Sequence, residues 1–328
     1  MAEGIWCVIR RGCMALALGV SIASWAPVCA GSGEPGEEKT RLAFGLLSDV
    51  QYCDCETAGS RHYRASKDKL AACVDDLNRQ DLAFTIHLGD FIQEDIASFE
   101  TLLPVYQRLS MPRFHVLGNH DFDVDADQKR SIPARLGMAD RHYEFRHPGT
   151  RFIVLDGGDV SLYARPQGSL EHARAEAMLE KLKTAGAPNA EVWNGAVGTA
   201  QLGWLARALA DAKEAGERAI VFCHFPVYPP GAHNLWNDTE VVETLERSES
   251  VVAYISGHKH AGEYAAKNGI HYLTVKGMVE TEDTTAYAVV HADDARLEVD
   301  GRGRQPDQVL VHGAPDAPLE VDVNGVDE

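Results

Sequence analysis

Gly118-Asn119-His120-Asp121 closes an apolar run, Phe114 to Leu117, and sets an amide beside an imidazole. A tetrapeptide of this kind recurs by chance and decides nothing alone. Working outward from it, four further strand-like runs end in the same manner: in Asp49 and Gln51, in Asp90 after Gly89, in His224, and in His258 and His260 after Gly257. Carboxylates, amide oxygens and imidazoles delivered to one place by five strand ends make a donor set for two divalent cations, oxygen suiting hard ions and nitrogen borderline ones.

The spacing of these runs predicts the architecture. Leu42 to Leu47 is continuously apolar up to Ser48-Asp49, as a strand buried on both faces would be. Helical spacing follows over Tyr63 to Asn78, then a strand over Leu82 to His87, a helix over Phe99 to Leu109 and a strand over Arg113 to Leu117. Strand-helix-strand repeats of this length require right-handed crossovers and a mostly parallel sheet, whose carboxyl edge is where open α/β sheets bind ligands. Asp123 to His147 reads as a charged surface excursion with one short helix. Beyond it we expect a strand over Arg151 to Leu155, helices over Leu170 to Thr184 and Gln201 to Ala215 (the latter capped by Thr199), a strand over Ala219 to Cys223, a helix from Thr239 and a strand over Val251 to Ser256. His271 to Val275, Ala286 to His291 and Arg296 to Val299 read as β structure forming a second sheet.

Composition narrows the function. Of 328 residues, 31 are basic and 49 acidic, a net charge of -18 that argues against a nucleic-acid or anionic-membrane partner and for a small substrate. Residues 1–30 read as an export signal: Arg10-Arg11, an apolar stretch from Cys13 to Trp25, and a small-residue site at Val28-Cys29-Ala30. The mature protein is then periplasmic or secreted, with no stable membrane association once the signal is cleaved; the apolar stretch falls short of the ~20 residues a span needs, and the alternative reading is an uncleaved membrane anchor. Residues 31–40 read as a flexible lead-in, 41–312 as one domain and 313–328 as an acidic, disordered tail. Four cysteines remain after the signal. Cys53 or Cys55 pairs with Cys73, or all of Cys53, Cys55, Cys73 and Cys223 are small buried or free thiols.

The five blocks, in this order, resemble those of the calcineurin-like metallophosphoesterase superfamily: Asp-x-His, Gly-Asp, Gly-Asn-His, a lone His and Gly-His-x-His. The resemblance implies an α/β fold, a sandwich of two mixed β-sheets flanked by helices. It implies that Asp49, Gln51, Asp90 and His260 hold one metal, and that Asp90, Asn119, His224 and His258 hold a second, with Asp90 bridging. His120 takes the position of a histidine that contacts the phosphoryl group or protonates the leaving group, and Asp121 would orient it. Two divalent cations side by side neutralise phosphoryl oxygens and acidify water, the two obstacles to hydrolysing a phosphate ester.

One departure narrows the resemblance. Asp49-Val50-Gln51 carries an amide where most members carry an imidazole, which favours oxygen-preferring ions: Mn²⁺ first, with iron, zinc and magnesium as alternatives. Together with Arg61-His62-Tyr63-Arg64, Asn194-Gly195, His224-Phe225-Pro226-Val227-Tyr228 and Gly301-Arg302-Gly303-Arg304, this is similar to the manganese-dependent ADP-ribose/CDP-alcohol diphosphatases. The implied substrate is a small nucleotide, cleaved at its diphosphate bond. A phosphodiesterase acting on cyclic nucleotides or glycerophosphodiesters would carry the same metal motifs. A non-catalytic metal- or nucleotide-binding protein would not need a proton donor at His120. His87, His115, His147 and His271 read as core or surface groups, and Asp121, Asp123 and Asp125 as a solvated run.

Overall fold

The computed structural model describes residues 42–313 and 316; the stretches expected to be an export signal and a lead-in, and most of the expected acidic tail, lie outside the described residues. Strands β1 (Leu42–Leu47), β2 (Phe84–His87) and β3 (Arg113–His115) pair in parallel, separated by helices α1 (Ser66–Leu77) and α2 (Ile96–Tyr106). A 3-10 turn (His120–Phe122), a second (Lys129–Ser131) and the short α3 (Ile132–Arg135) lead to β4 (Tyr143–His147) and β5 (Thr150–Val154). Then come α4 (Leu170–Thr184), α5 (Thr199–Glu214), β6 (Arg218–Phe222), α6 (Asp238–Glu246) and β7 (Val251–Ser256). The chain closes with β8 (Glu263–Lys267), β9 (Ile270–Thr274), β10 (Ala286–Ala292), β11 (Arg296–Gly303) and β12 (Gln308–Val311).

These strands form two six-stranded mixed sheets, ordered β12-β11-β10-β1-β2-β3 and β4-β5-β6-β7-β9-β8. Alternation along each strand explains why they stack. Leu42, Phe44 and Leu46 of β1 face the second sheet, where Phe152, Ile220, Phe222 and Ile255 meet them; Phe84 stacks on Phe44 at 4.9 Å and meets Phe152 edge-on at 4.9 Å. Ala43 and Leu47 point the other way, onto Leu70, Val74 and Leu77 of α1 and Phe99 and Leu102 of α2. On the far side, Ile153, Val221 and Tyr254 pack against Leu205 and Leu209 of α5 and Val241 and Leu245 of α6. The result is an α/β/β/α sandwich in which the carboxyl ends of β1, β2, β6 and β7 share one edge. Among the described residues no helix is long and apolar enough to cross a membrane.

Several expectations are corrected. The stretch 123–147 holds strand β4 as well as a short helix, its Phe145 stacked on Phe114 at 3.8 Å. The C-terminal strands do not form a sheet of their own: β10 to β12 extend the first sheet through β10 beside β1, while β9 joins the second beside β7. Thr199 does not cap α5; Gly198 does, its N–H donating to Asp159 Oδ2 at 3.1 Å. Cys53 bonds to Cys55 rather than Cys73, which is buried and free, as is Cys223.

Candidate metal centre

Asp49, His224 and His258 each stand two residues past the end of their strand, β1, β6 and β7. Their loops are tied together through the backbone: Asp49 N–H donates to Gly89 O at 3.1 Å, Gln51 N–H to Asp90 O at 2.9 Å, and Gly257 N–H to His224 O at 2.9 Å. The approach is close enough that a Cβ on Gly118 would collide with the Asp90 carboxylate, and one on Gly257 with the Ser48 hydroxyl, which accounts for glycine in both motifs. Asp49 (φ 51°), Gln51 (φ 41°), Asp90 (φ 55°) and His258 (φ 68°) all occupy the left-handed region that non-glycine residues avoid. Strain of this kind clusters at functional sites.

Asp90, His224 and His258 bring ligand atoms within 4.8 Å of one another. His224 Nε2 lies 3.2 Å from Asp90 Oδ2 and 3.2 Å from His258 Nδ1. Each ring is held by its other nitrogen, His224 Nδ1 by Leu88 O at 2.8 Å and His258 Nε2 by Asn194 Oδ1 at 3.1 Å. Those oxygens can only accept, so the facing nitrogens would both present lone pairs unless a cation or proton stands between them. The electrostatics say the same. Burial pushes the His224 pKa down, but the Asp90 carboxylate outweighs it and draws it up to about 9. Asp90 in turn is held far below the ordinary carboxylate range, its burial overcome by His224 and His120.

A second group adjoins the first. Asp49 Oδ1 lies 3.4 Å from His260 Nε2, and His260 Nδ1 lies 2.7 Å from Glu280 Oε1. Burial pushes the Glu280 pKa up, yet its hydrogen bonds to His260 and Ser60 hold it down at about 2. Gln51 Nε2 donates to Asp90 Oδ2 at 3.0 Å, so Asp90 is the residue common to both groups. Three buried oxygens here, Asp49 Oδ1, Gln51 Oε1 and Asn119 Oδ1, have no hydrogen-bond partner. Buried acceptors are rarely left bare. Orphaned oxygens beside lone-pair imidazoles fit divalent cations that take mixed oxygen and nitrogen ligands.

His120 stands beside these groups on a cavity of about 440 Å³ whose wall also includes Arg61, Lys129, Tyr163 and Trp193. Its backbone N–H donates to Asp90 Oδ1 at 2.8 Å, and its Nδ1 donates to Gln93 O at 3.1 Å. Asp121 does not orient it. That carboxylate is fully buried and accepts from Phe91 N at 2.8 Å and Gly118 N at 2.9 Å, bracing the loop rather than the ring; Asp123 and Asp125 are the exposed part of the run. Two of the other histidines stay outside the site: His271 sits between the Tyr264 hydroxyl and Val311 O, and His115 packs on Tyr106; His233, by contrast, lines the cavity and meets the His258 ring edge-on at 5.4 Å. Sequence reasoning missed Asn194, Glu280 and Gln93 as partners of the three rings. Only Asn194-Gly195 left a signal, as a block of the resemblance.

The pattern of the calcineurin-like phosphoesterases matches residues 42–262. Similar sequences include proteins named manganese-dependent ADP-ribose/CDP-alcohol diphosphatase. One from Arabidopsis thaliana is 30% identical over 80% of this chain and 94% of its own. One from Xenopus tropicalis is 28% identical over 85% of this chain and 96% of its own. Among solved structures, a dimetal phosphatase from Danio rerio superposes with a TM-score of 0.76 at 27% identity, covering 83% of this chain and 99% of its own. The match spans every strand end that converges on Asp90, and its relatives are metal-dependent hydrolases over nearly their whole length. This chain therefore belongs to the calcineurin-like phosphoesterase family and is a metal-dependent phosphoesterase with a dimetal centre.

Proposed function

We propose that the enzyme cleaves the diphosphate bond of nucleoside diphosphate derivatives such as ADP-ribose and CDP-alcohols. The observation that carries this reading is coverage: the relatives bearing that activity in their names are matched over 80% or more of this chain and over 90% of their own, so no domain separates them from it. In this reading Asp49, Gln51, Asp90 and His260 hold one metal and Asp90, Asn119, His224 and His258 the other, with Mn²⁺ the favoured ion. The metals supply charge neutralisation at the phosphoryl oxygens and an acidified water.

The protein's own groups do the rest. Leu88 O and Asn194 Oδ1 fix which nitrogen His224 and His258 present, and Glu280 does so for His260. His120 keeps Nδ1 on the Gln93 carbonyl, leaving Nε2 as the ring atom free to act. As an imidazolium it donates that proton to the departing oxygen, which would otherwise leave with full negative charge. The test is a substrate panel with protein stripped by chelator and reloaded with Mn²⁺. ADP-ribose and CDP-choline should be hydrolysed fastest, with no turnover before reloading. Faster hydrolysis of cyclic nucleotides or glycerophosphodiesters would overturn the substrate assignment, and no hydrolysis of either class would favour a binding protein.

A further inference from the structure

The wall of the cavity beside the metal ligands carries two cations, Arg61 and Lys129, with different neighbours. Arg61 belongs to the His260 end: its Nε lies 3.8 Å from Glu280 Oε1, the carboxylate that holds His260, so its charge is already opposed. Lys129 belongs to the His120 end. It opens the 3-10 turn Lys129–Ser131, and its Nζ donates to Tyr163 O at 2.7 Å, while the Tyr163 ring lies 6.1 Å from that of Phe122, in the same turn as His120. A carbonyl is a neutral partner that occupies one of the three protons of an ammonium. The Asp123 carboxylate of the same wall also acts on its charge, and Lys129 is anchored there with donors to spare.

Cleaving a diphosphate differs from cleaving other diesters in one respect: the leaving group is itself a phosphate. The P–O bond to the bridging oxygen breaks, the hydroxyl of water takes its place on phosphorus while that water's other proton passes to solvent, and the bridging oxygen departs with the second phosphate, protonated by His120, which is later reprotonated from solvent. That second phosphate must then lie at the His120 end. We infer that Lys129 is the specificity-determining residue that binds the leaving phosphate, making the site selective for diphosphates. The inference rests on the proposed diphosphatase reading and on His120 as the proton donor. A cation placed there lowers the barrier only when the departing group carries an anionic phosphate.

The test compares two substrates of the Mn²⁺-loaded enzyme, ADP-ribose and thymidine 5′-(p-nitrophenyl) phosphate, whose leaving group has no phosphate. Lys129→Met should lower kcat/KM for ADP-ribose by roughly 10- to 150-fold, the span of a charge-assisted hydrogen bond, and change the nitrophenyl ester by less than about threefold. Lys129→Arg should recover most of the loss, which a merely structural tie to Tyr163 would not require. Equal losses on both substrates, or none on ADP-ribose, would overturn the inference while leaving the function intact. A wild-type enzyme active on the nitrophenyl ester but inert toward every nucleoside diphosphate derivative would overturn the function, and the inference with it.

Discussion

The Asn194 amide fixes the tautomer of His258. Its Nδ2 donates to two carbonyls, Asn189 O at 3.1 Å and Ala232 O at 2.7 Å, so Oδ1 is the atom left to face His258 Nε2 at 3.1 Å. An oxygen accepts; the proton is therefore on Nε2, and Nδ1 is bare toward His224. Asn194→Ala should weaken Mn²⁺ binding by about 10- to 100-fold, as losing the partner of a ligating histidine commonly does. Isothermal titration of Mn²⁺ into stripped protein reads this directly, and unchanged affinity would show that Asn194 serves the loops alone.

His120→Ala should leave metal content unchanged and lower kcat by ~10² to 10⁴, the range for a general acid. The loss should shrink with p-nitrophenolate as leaving group, which needs little protonation. A uniform loss across leaving groups would assign His120 to phosphoryl binding instead.

Gln51 spends its Nε2 on Asp90 and keeps a bare, buried Oε1. Gln51→His exchanges that oxygen donor for nitrogen, so Zn²⁺ affinity should rise relative to Mn²⁺. Competitive titration of the two ions into wild type and variant measures the ratio. A ratio that stays put would mean that Gln51 only hydrogen-bonds Asp90.

Away from the metals, burial lowers the His115 pKa from an ordinary 6.5 to about 3. The unfolded chain takes up its proton near 6.5 while the folded chain waits until about 3, so stability is lost as pH falls through that window. His115→Phe, a ring suited to the aromatic wall of Tyr106 and Phe91, should flatten the stability profile of stripped protein by up to ~1.4 kcal/mol per pH unit. Urea denaturation at pH 7 and pH 5 checks it; parallel decline in both proteins would defeat the argument.

The disulfide makes a chemical prediction. With Cys53 bonded to Cys55, the domain from residue 42 should, in denaturant without reductant, take two alkyl groups, at Cys73 and Cys223, and four after reduction. Mass spectrometry distinguishes this from a bond to Cys73, which would leave Cys223 and one of the paired positions modified.

Strand β7 was legible to the residue, because Val251 to Ser256 is an apolar run buried on both faces with sharp punctuation on either side. Strands β4, β8 and β12 were not. Each lies at the edge of its sheet, where Glu144 and Arg146, or Glu263 and Lys267, break up the alternation that marks an interior strand. The same contrast runs through the site. Asp49, Asp90, His224 and His258 could be read because they punctuate strands. Asn194, Glu280, Gln93 and Lys129 come from irregular stretches or a single turn and reach the site only through tertiary packing, which no local period records.

The left-handed backbone at Asp49, Gln51, Asp90 and His258 sets the fold against its chemistry. Each such residue costs roughly 1 to 3 kcal/mol that glycine would not. Glycine at any of the four would relieve that strain and remove a candidate cation ligand in the same step, so robustness and cation holding trade against each other at these positions.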